Sequence, residues 1–279
     1  MRFSSGPASH VGERRVTLMQ VIRGRKALVT GAASGIGRAI ARALACEGAD
    51  LFLLDIDAPG LERVAAELRA QGVAVVAQVC DLADAAAVSA AVQALQARWG
   101  ALAILINNAG ITFYGPTETM SAAQWQRIMA VNLLAPIQLF RETFPLLAAA
   151  DEAHVVNVCS MFGVMPWRKA AAYQASKHGL VGFTRALRAE YQRDGFGITA
   201  LCPGFVQTSL LEGQKQAPGW IATTPEIVAE KTLTAIRRNR GLVFVTWPAQ
   251  LYWRLWRLAP GLVDWLLREG WRRKGRVGA

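Results

Sequence analysis

Ala27-Leu28-Val29-Thr30-Gly31-Ala32-Ala33-Ser34-Gly35-Ile36-Gly37 is the stretch on which the reading of this chain turns. Residues 27–30 have the apolar, β-branched character of a short buried strand, and residues 38–47 have the periodicity of a helix closed by Gly48. Between them, Gly31, Ser34, Gly35, Ile36 and Gly37 form a glycine-rich turn. Such a turn can be no more than a tight connection. Placed between a strand and a helix, it also lets a backbone approach a pyrophosphate closely and aims the positive end of the helix at its charge.

The alternation continues outward. Residues 51–55, 73–80, 102–106, 154–159, 197–201 and 242–246 read as strands, and 60–71, 84–99, 172–193 and 225–239 as helices. Ser121 opens a long helix through Phe140, followed by a second stretch to about residue 149. Short strands alternating with longer helices predict a single-domain α/β fold: a doubly wound parallel sheet of Rossmann type, with helices on both faces and a C-terminal helical extension. No shift in composition breaks residues 25–246, the expected dinucleotide-binding catalytic domain. Residues 1–24 read as a loose basic arm and 247–279 as a basic, Trp-rich tail. Asp55 closes the second strand. A carboxylate there can accept both ribose hydroxyls and would repel a 2′-phosphate, and neither Ser34 nor Ile56 offers a cation to receive one. The expected cofactor is therefore NAD, with NADP the weaker fit; a solvated strand-end aspartate is the plain alternative.

Apolar residues make up 53% of the 279 and charged residues 18%, which permits a sizeable core and argues against general disorder. Cys46, Cys80, Cys159 and Cys202 are widely spaced and only three histidines occur, so no metal site is expected. That cysteine usage suits a reducing cytosol. No signal peptide and no membrane span are expected, because no apolar run is long enough. The net charge of +11 is uneven. Residues 1–26 carry six Lys/Arg against one acid and residues 237–279 carry ten against two, which leaves the middle close to neutral.

Tyr173-Gln174-Ala175-Ser176-Lys177 falls within a predicted helix, where positions four apart share a face. A free phenol has a pKa of about 10 and exchanges protons poorly near neutrality. A neighbouring ammonium favours the phenolate, so Lys177 is expected to hold the Tyr173 pKa down and make it a general acid/base.

Taken together and in order, the turn at residues 30–37, Asp81-Leu82, Asn107-Asn108-Ala109-Gly110, Asn132, Ser160, Tyr173 with Lys177, and Pro203-Gly204 with Thr208 resemble the short-chain dehydrogenase/reductase family over about residues 24–246. The resemblance implies a reversible conversion of a secondary alcohol to a ketone. Ser160 would bond the substrate oxygen, Tyr173 would take its proton, Lys177 would tune the phenol and bond the nicotinamide ribose, and Asn132 would support a proton-relaying water. Asp81 would bond the adenine amino group beside the Leu82 backbone. Asn108, Ala109 and Gly110 would line the cofactor cleft, and Pro203, Gly204, Val206 and Thr208 would hold the nicotinamide end.

By the same resemblance, Thr112, Phe113, Tyr114, Met161, Phe162, Val164, Trp167, Phe205 and Leu210 would face the substrate. That set is apolar and aromatic, which suits a small hydrophobic substrate such as a steroid, lipid or aromatic secondary alcohol. Residues 209–224 read as a lid. An acyl-thioester ketoreductase and a catalytically silent cofactor-binding scaffold are the alternative readings. A homodimer or homotetramer built on the helices near 121–145 and 172–193 is also implied. In the tail, Trp247, Trp253, Trp256, Trp265 and Trp271 interleave with arginines, and Leu251, Leu255 and Leu258 share a helical face. Residues 247–276 could contact an anionic membrane surface or pack on protein. No motif for reading nucleic acid is present, and none is expected as a partner. The expected location is cytoplasmic, with the inner membrane face as a docking place.

Overall fold

The computed structural model describes residues 19–191, 195–207, 222–263 and 265. Strands and helices alternate as β1 (Lys26–Thr30), α1 (Gly35–Cys46), β2 (Asp50–Asp55), α2 (Ala58–Arg69), β3 (Val75–Val79), α3 (Ala85–Arg98) and β4 (Ile104–Asn107). Then come α4 (Ala122–Met129), α5 (Ala135–Ala148), β5 (Ala153–Val158), α6 (Ala171–Tyr191) and β6 (Phe196–Cys202). The short pair β7 (Phe205–Val206) and β8 (Ala222–Thr223) is followed by α7 (Pro225–Arg237), β9 (Leu242–Phe244) and α8 (Trp247–Leu258).

Seven strands form one parallel sheet in the order β3-β2-β1-β4-β5-β6-β9. The chain runs from β1 out to β3, then returns past β1 to β4. The connections after β1 and β4 therefore leave in opposite directions and open a crevice at the carboxyl ends of these strands. Every residue of β4, β5 and β6 is buried, as a sheet covered on both faces requires. One face packs Ile40, Leu44, Leu61, Val64 and Val228 against it, and the other packs Val88, Leu95, Leu139 and Leu147.

Local chemistry sets the helix ends. Asp84 caps α3 by accepting from the Ala86 and Ala87 N–H groups, and Ser121 with Gln124 forms a reciprocal capping box on α4. The expected unbroken helix from Ser121 to Phe140 differs in its middle. Ala130–Leu134 widens into a π-helical turn in which the Ala135 N–H reaches back to the Ala130 carbonyl. Pro136 explains this, because it has no N–H to give to the carbonyl of Asn132 four residues earlier.

One expectation about the ends is revised. Residues 1–18 of the predicted arm lie outside the described residues, but its last part is not loose. Met19 and Ile22 are 4% and 1% exposed and belong to the main core. Their apolar side chains, three residues apart, outweigh the basic composition around them. At the other end, α8 closes at Leu258, two residues before Pro260-Gly261, and most of the tail beyond it lies outside the described residues.

Candidate active site

The crevice is a cleft of about 420 Å³. At one end the glycine turn meets the end of β4. Gly31 has φ +67° and Gly35 has φ +51°, the left-handed region that favours glycine. A Cβ at Gly31 would stand 2.8 Å from Asn108 Nδ2, and one at Gly37 only 1.9 Å from the Gly31 carbonyl oxygen. The Thr30 hydroxyl accepts from the backbone N–H groups of Asn108 (2.9 Å) and Ala109 (3.0 Å), and Asn108 Nδ2 donates to the Thr30 carbonyl (2.9 Å). These bonds stitch β1 to β4 and fix the cleft floor, with Gly31, Ser34, Gly35, Ile36, Asn108, Ala109 and Gly110 along it.

Asp55 also lines the cleft, its carboxylate held by the Ala33 N–H (2.9 Å) and the Asp57 N–H (3.0 Å). Asp81 and Leu82 stand nearby. The Ala83 N–H (2.9 Å), and after it the Arg127 guanidinium (3.1 Å), hold the Asp81 carboxyl below its usual range while burial opposes them. A turn that rejects a single Cβ, followed by two fixed carboxylates, fits a dinucleotide: diphosphate against bare backbone, ribose and adenine against the acids.

At the other end, β5 delivers Ser160 and the first turns of α6 deliver Tyr173 and Lys177, all three onto the cleft wall. The Ser160 hydroxyl accepts from the Phe162 N–H at 3.1 Å. Lys177, 3% exposed, donates Nζ to the Val158 carbonyl at 2.8 Å and lies 5.9 Å from the centre of the Tyr173 ring. The expected lowering of the Tyr173 pKa is not what this arrangement produces. Tyr173 is half-buried, and burial pushes the phenol up to about 12 against the opposing bond from Ser160. Burial also lowers the Lys177 pKa, and its ammonium donates to the Val158 carbonyl.

Asn132 is fully buried and its side chain does not reach the cleft. Its amide exchanges bonds with the Ile111 backbone, accepting at 2.8 Å and donating at 2.9 Å, and donates to the Ser176 hydroxyl at 3.1 Å. It ties the π-helical turn to the strand-end loop and to α6.

Of the predicted substrate-facing residues, Thr112, Tyr114, Phe162, Trp167 and Phe205 line the cleft. Phe162 stacks on Trp167 with ring centres 4.9 Å apart, and Phe205 meets both edge-on at 5.7 and 5.8 Å. Phe113, Met161 and Val164 are not on the wall. Phe113 lies over Gly115, while Met161 and Val164 pack beneath α8. The tight turn Met161–Gly163 after Ser160 sends Phe162 to the cleft and Met161 inward. Val206, Pro203 and Gly204 line the cleft, whereas Gly37 supports the turn from behind. Thr208, Leu210 and most of the predicted lid lie outside the described residues.

The sequence reading missed Arg127, Ile111, Val131 and Ala170 on the wall. It also missed that α8 backs the aromatic end of the cleft, where Ala249, Tyr252 and Trp253 pack with Met161, Phe162 and Phe205. A helix-facing Arg has no sequence signal until the fold brings it to Asp81.

The family described as short chain dehydrogenase matches residues 25–219. D-beta-hydroxybutyrate dehydrogenase of Cupriavidus necator is 34% identical over 229 residues, 81% of this chain and 87% of that protein. The crystal structure of a short-chain dehydrogenase/reductase from Burkholderia phymatum with NAD is 28% identical and aligns with a TM-score of 0.79 over 88% of this chain and 96% of that one. A single-substitution variant of actinorhodin polyketide ketoreductase with NADPH is 30% identical, with a TM-score of 0.73 over 80% and 95%.

Proposed function

The chain belongs to the short-chain dehydrogenase/reductase family and is an oxidoreductase of CH–OH groups; on that premise we propose that it interconverts an apolar secondary alcohol and its ketone using NAD(H). The observation that carries this reading is the convergence of Ser160, Tyr173 and Lys177 beside the aromatic wall, in the same cleft as the glycine turn and Asp55.

A bound nicotinamide dinucleotide supplies hydride exchange. The chain supplies position and proton control. Ser160 donates its hydroxyl to the substrate oxygen. Tyr173 receives the alcohol proton at Oη during oxidation and returns it during reduction. The positive charge of Lys177, 5.9 Å from the Tyr173 ring centre, favours the phenolate but does not overcome the burial that keeps the resting phenol protonated. Asn132 is a positioning residue. Its side chain holds Ser176, whose hydroxyl donates to the Tyr173 carbonyl at 2.7 Å, and Pro136 has no N–H to give to its backbone carbonyl, to which a proton-relaying water would bind. Asp55, and the lack of a cation at Ser34 or Ile56, favour NAD over NADP. Exposed Trp125 and Leu134, on and beside α4, support burial of that face in a homodimer or homotetramer.

The test is a panel of secondary alcohols followed by reduced-cofactor absorbance, with NAD and NADP in parallel. Turnover of apolar alcohols with NAD preferred by about tenfold or more is expected, the scale of one charge-assisted hydrogen bond. No turnover, or a preference for NADP, overturns the corresponding half of the reading. Similarity to a polyketide ketoreductase keeps one second reading, reduction of an acyl-thioester ketone. Faster turnover of a 3-ketoacyl thioester than of any free ketone would select it.

A further inference from the structure

We infer that α8 docks the protein on an anionic lipid bilayer through a second apolar face, opposite the one that backs the substrate site. Trp247, Leu251, Leu255 and Leu258 recur every three or four residues, so they fall on one side of the helix. They are 68, 47, 48 and 83% exposed. The opposite side holds Ala249, Tyr252 and Trp253, packed with Phe162, Phe205 and Phe244 against the end of the cleft. A helix apolar on two sides is suited to being covered on both, and among the described residues only the inner cover is present. Past the break at Ala259, Leu262 and Trp265 add 55 and 56% exposed apolar side chains.

Charge decides between occupants. Arg254 and Arg257 are exposed along one flank of the stripe, Arg257 lying 5.5 Å from the Trp253 ring centre. The sequence that follows, residues 266–279, adds Arg268, Arg272, Arg273, Lys274 and Arg276 against the single acid Glu269. A second copy laid on this face would oppose like charges. Nucleic acid would complement the arginines but leave the leucines in water. An anionic headgroup layer satisfies both, with the leucines below the headgroups and the arginines among them. Among the described residues no helix is long and apolar enough to cross a membrane, so α8 would lie along the surface. Docked this way, the wall formed by Phe162 and Phe205 sits directly behind the lipid face. The docking itself rests on no choice of substrate.

The full chain is tested by co-sedimentation with vesicles of phosphatidylglycerol and phosphatidylcholine, compared with phosphatidylcholine alone, at low and high salt. The double variant Leu251→Glu/Leu255→Glu runs in parallel, and Leu251→Ser/Leu255→Ser replaces it should the glutamates impair folding. Binding to the anionic vesicles at least about tenfold tighter than to neutral ones is expected, weakened by salt. The double variant should lower it by about tenfold or more, since each leucine loses its burial. Oxidation of a small water-soluble secondary alcohol should be unchanged in the variant, which separates docking from the active-site reading. No binding to anionic vesicles, or binding that the double variant leaves intact, overturns the inference. So does a variant that changes only the sedimentation velocity, because a second copy would then be what covers the stripe.

Discussion

Gln174 holds the backbone of Trp167 with both ends of its amide. The Trp167 N–H donates to Oε1 at 2.6 Å, and Nε2 donates back to the Trp167 carbonyl. Gln174 directly follows Tyr173 on α6, so the aromatic wall and the phenol proposed to handle the proton are fastened to the same helical turn. Gln174→Ala leaves two backbone groups without these partners and frees the stack on Phe162 to shift. KM for an apolar alcohol should rise by about tenfold, the scale of one missing buried hydrogen bond, with kcat little changed. Steady-state kinetics check this; a fall in kcat at constant KM would place Gln174 in the chemistry instead.

On the proposed mechanism Tyr173 sets the pH dependence. Burial pushes its phenol up to about 12, and oxidation requires the phenolate. The oxidation rate should therefore climb with pH through the alkaline range. Reduction requires the phenol and should be flat near neutrality, falling only at high pH. Tyr173→Phe should reduce turnover about 10²- to 10⁴-fold, the usual worth of a positioned acid/base, and leave NADH binding by fluorescence within about twofold. Loss of NADH binding in that variant would mean that Tyr173 holds the cofactor rather than the proton.

How much of this was legible depends on distance along the chain. The sheet could be read because each strand is a short continuous apolar run beside its own turn, as β1 is beside Gly31. Tyr173 and Lys177 could be read because helical spacing alone sets them side by side. The pairing of Asp81 with Arg127 joins residues far apart in sequence and exists only once α4 crosses the cleft. The inward turn of Met161 depends on the tight bend after Ser160, which apolar composition does not encode. The phenol's raised pKa depends on enclosure by walls that no local pattern describes. In the tail, helical phase placed Leu251, Leu255 and Leu258 together but did not say that Trp253, among the same arginines, would be the residue facing the core.

Cofactor choice can be shifted at the turn. Ser34 lines the cleft beside Asp55, and neither it nor Ile56 offers positive charge to a 2′-phosphate. Ser34→Arg places a guanidinium there without disturbing the Asp55 bonds to Ala33 and Asp57. kcat/KM with NADP should rise by about tenfold, consistent with one new charge-assisted hydrogen bond. Dinucleotide titrations of both proteins check it; an unchanged NADP to NAD ratio would show that the turn does not face the ribose.

Acid stability should report His154, which is 2% exposed and bonded through Nε2 to the Thr199 hydroxyl at 2.8 Å. The Thr199 hydroxyl donates to the Arg240 carbonyl, so the imidazole is the donor in that pair and Nε2 carries the hydrogen. Its Nδ1 lies against Gly197, where a Cβ would come within 2.2 Å. Burial, and secondarily the charge of Arg188, push the imidazole from an ordinary 6.5 down to about 3. Between those values the unfolded chain binds a proton that the folded chain refuses. The stabilisation is complete above pH 6.5 and is lost as the pH falls, by up to about 1.4 kcal/mol per unit. From about pH 6.5 to about pH 5 the wild type should lose roughly 2 kcal/mol through this group. His154→Gln keeps a donor for Thr199 but cannot titrate, so its urea-unfolding free energy should fall less over the same interval, even if it starts lower. Equal slopes for the two proteins would show that His154 is protonated in the fold and that acid sensitivity originates elsewhere.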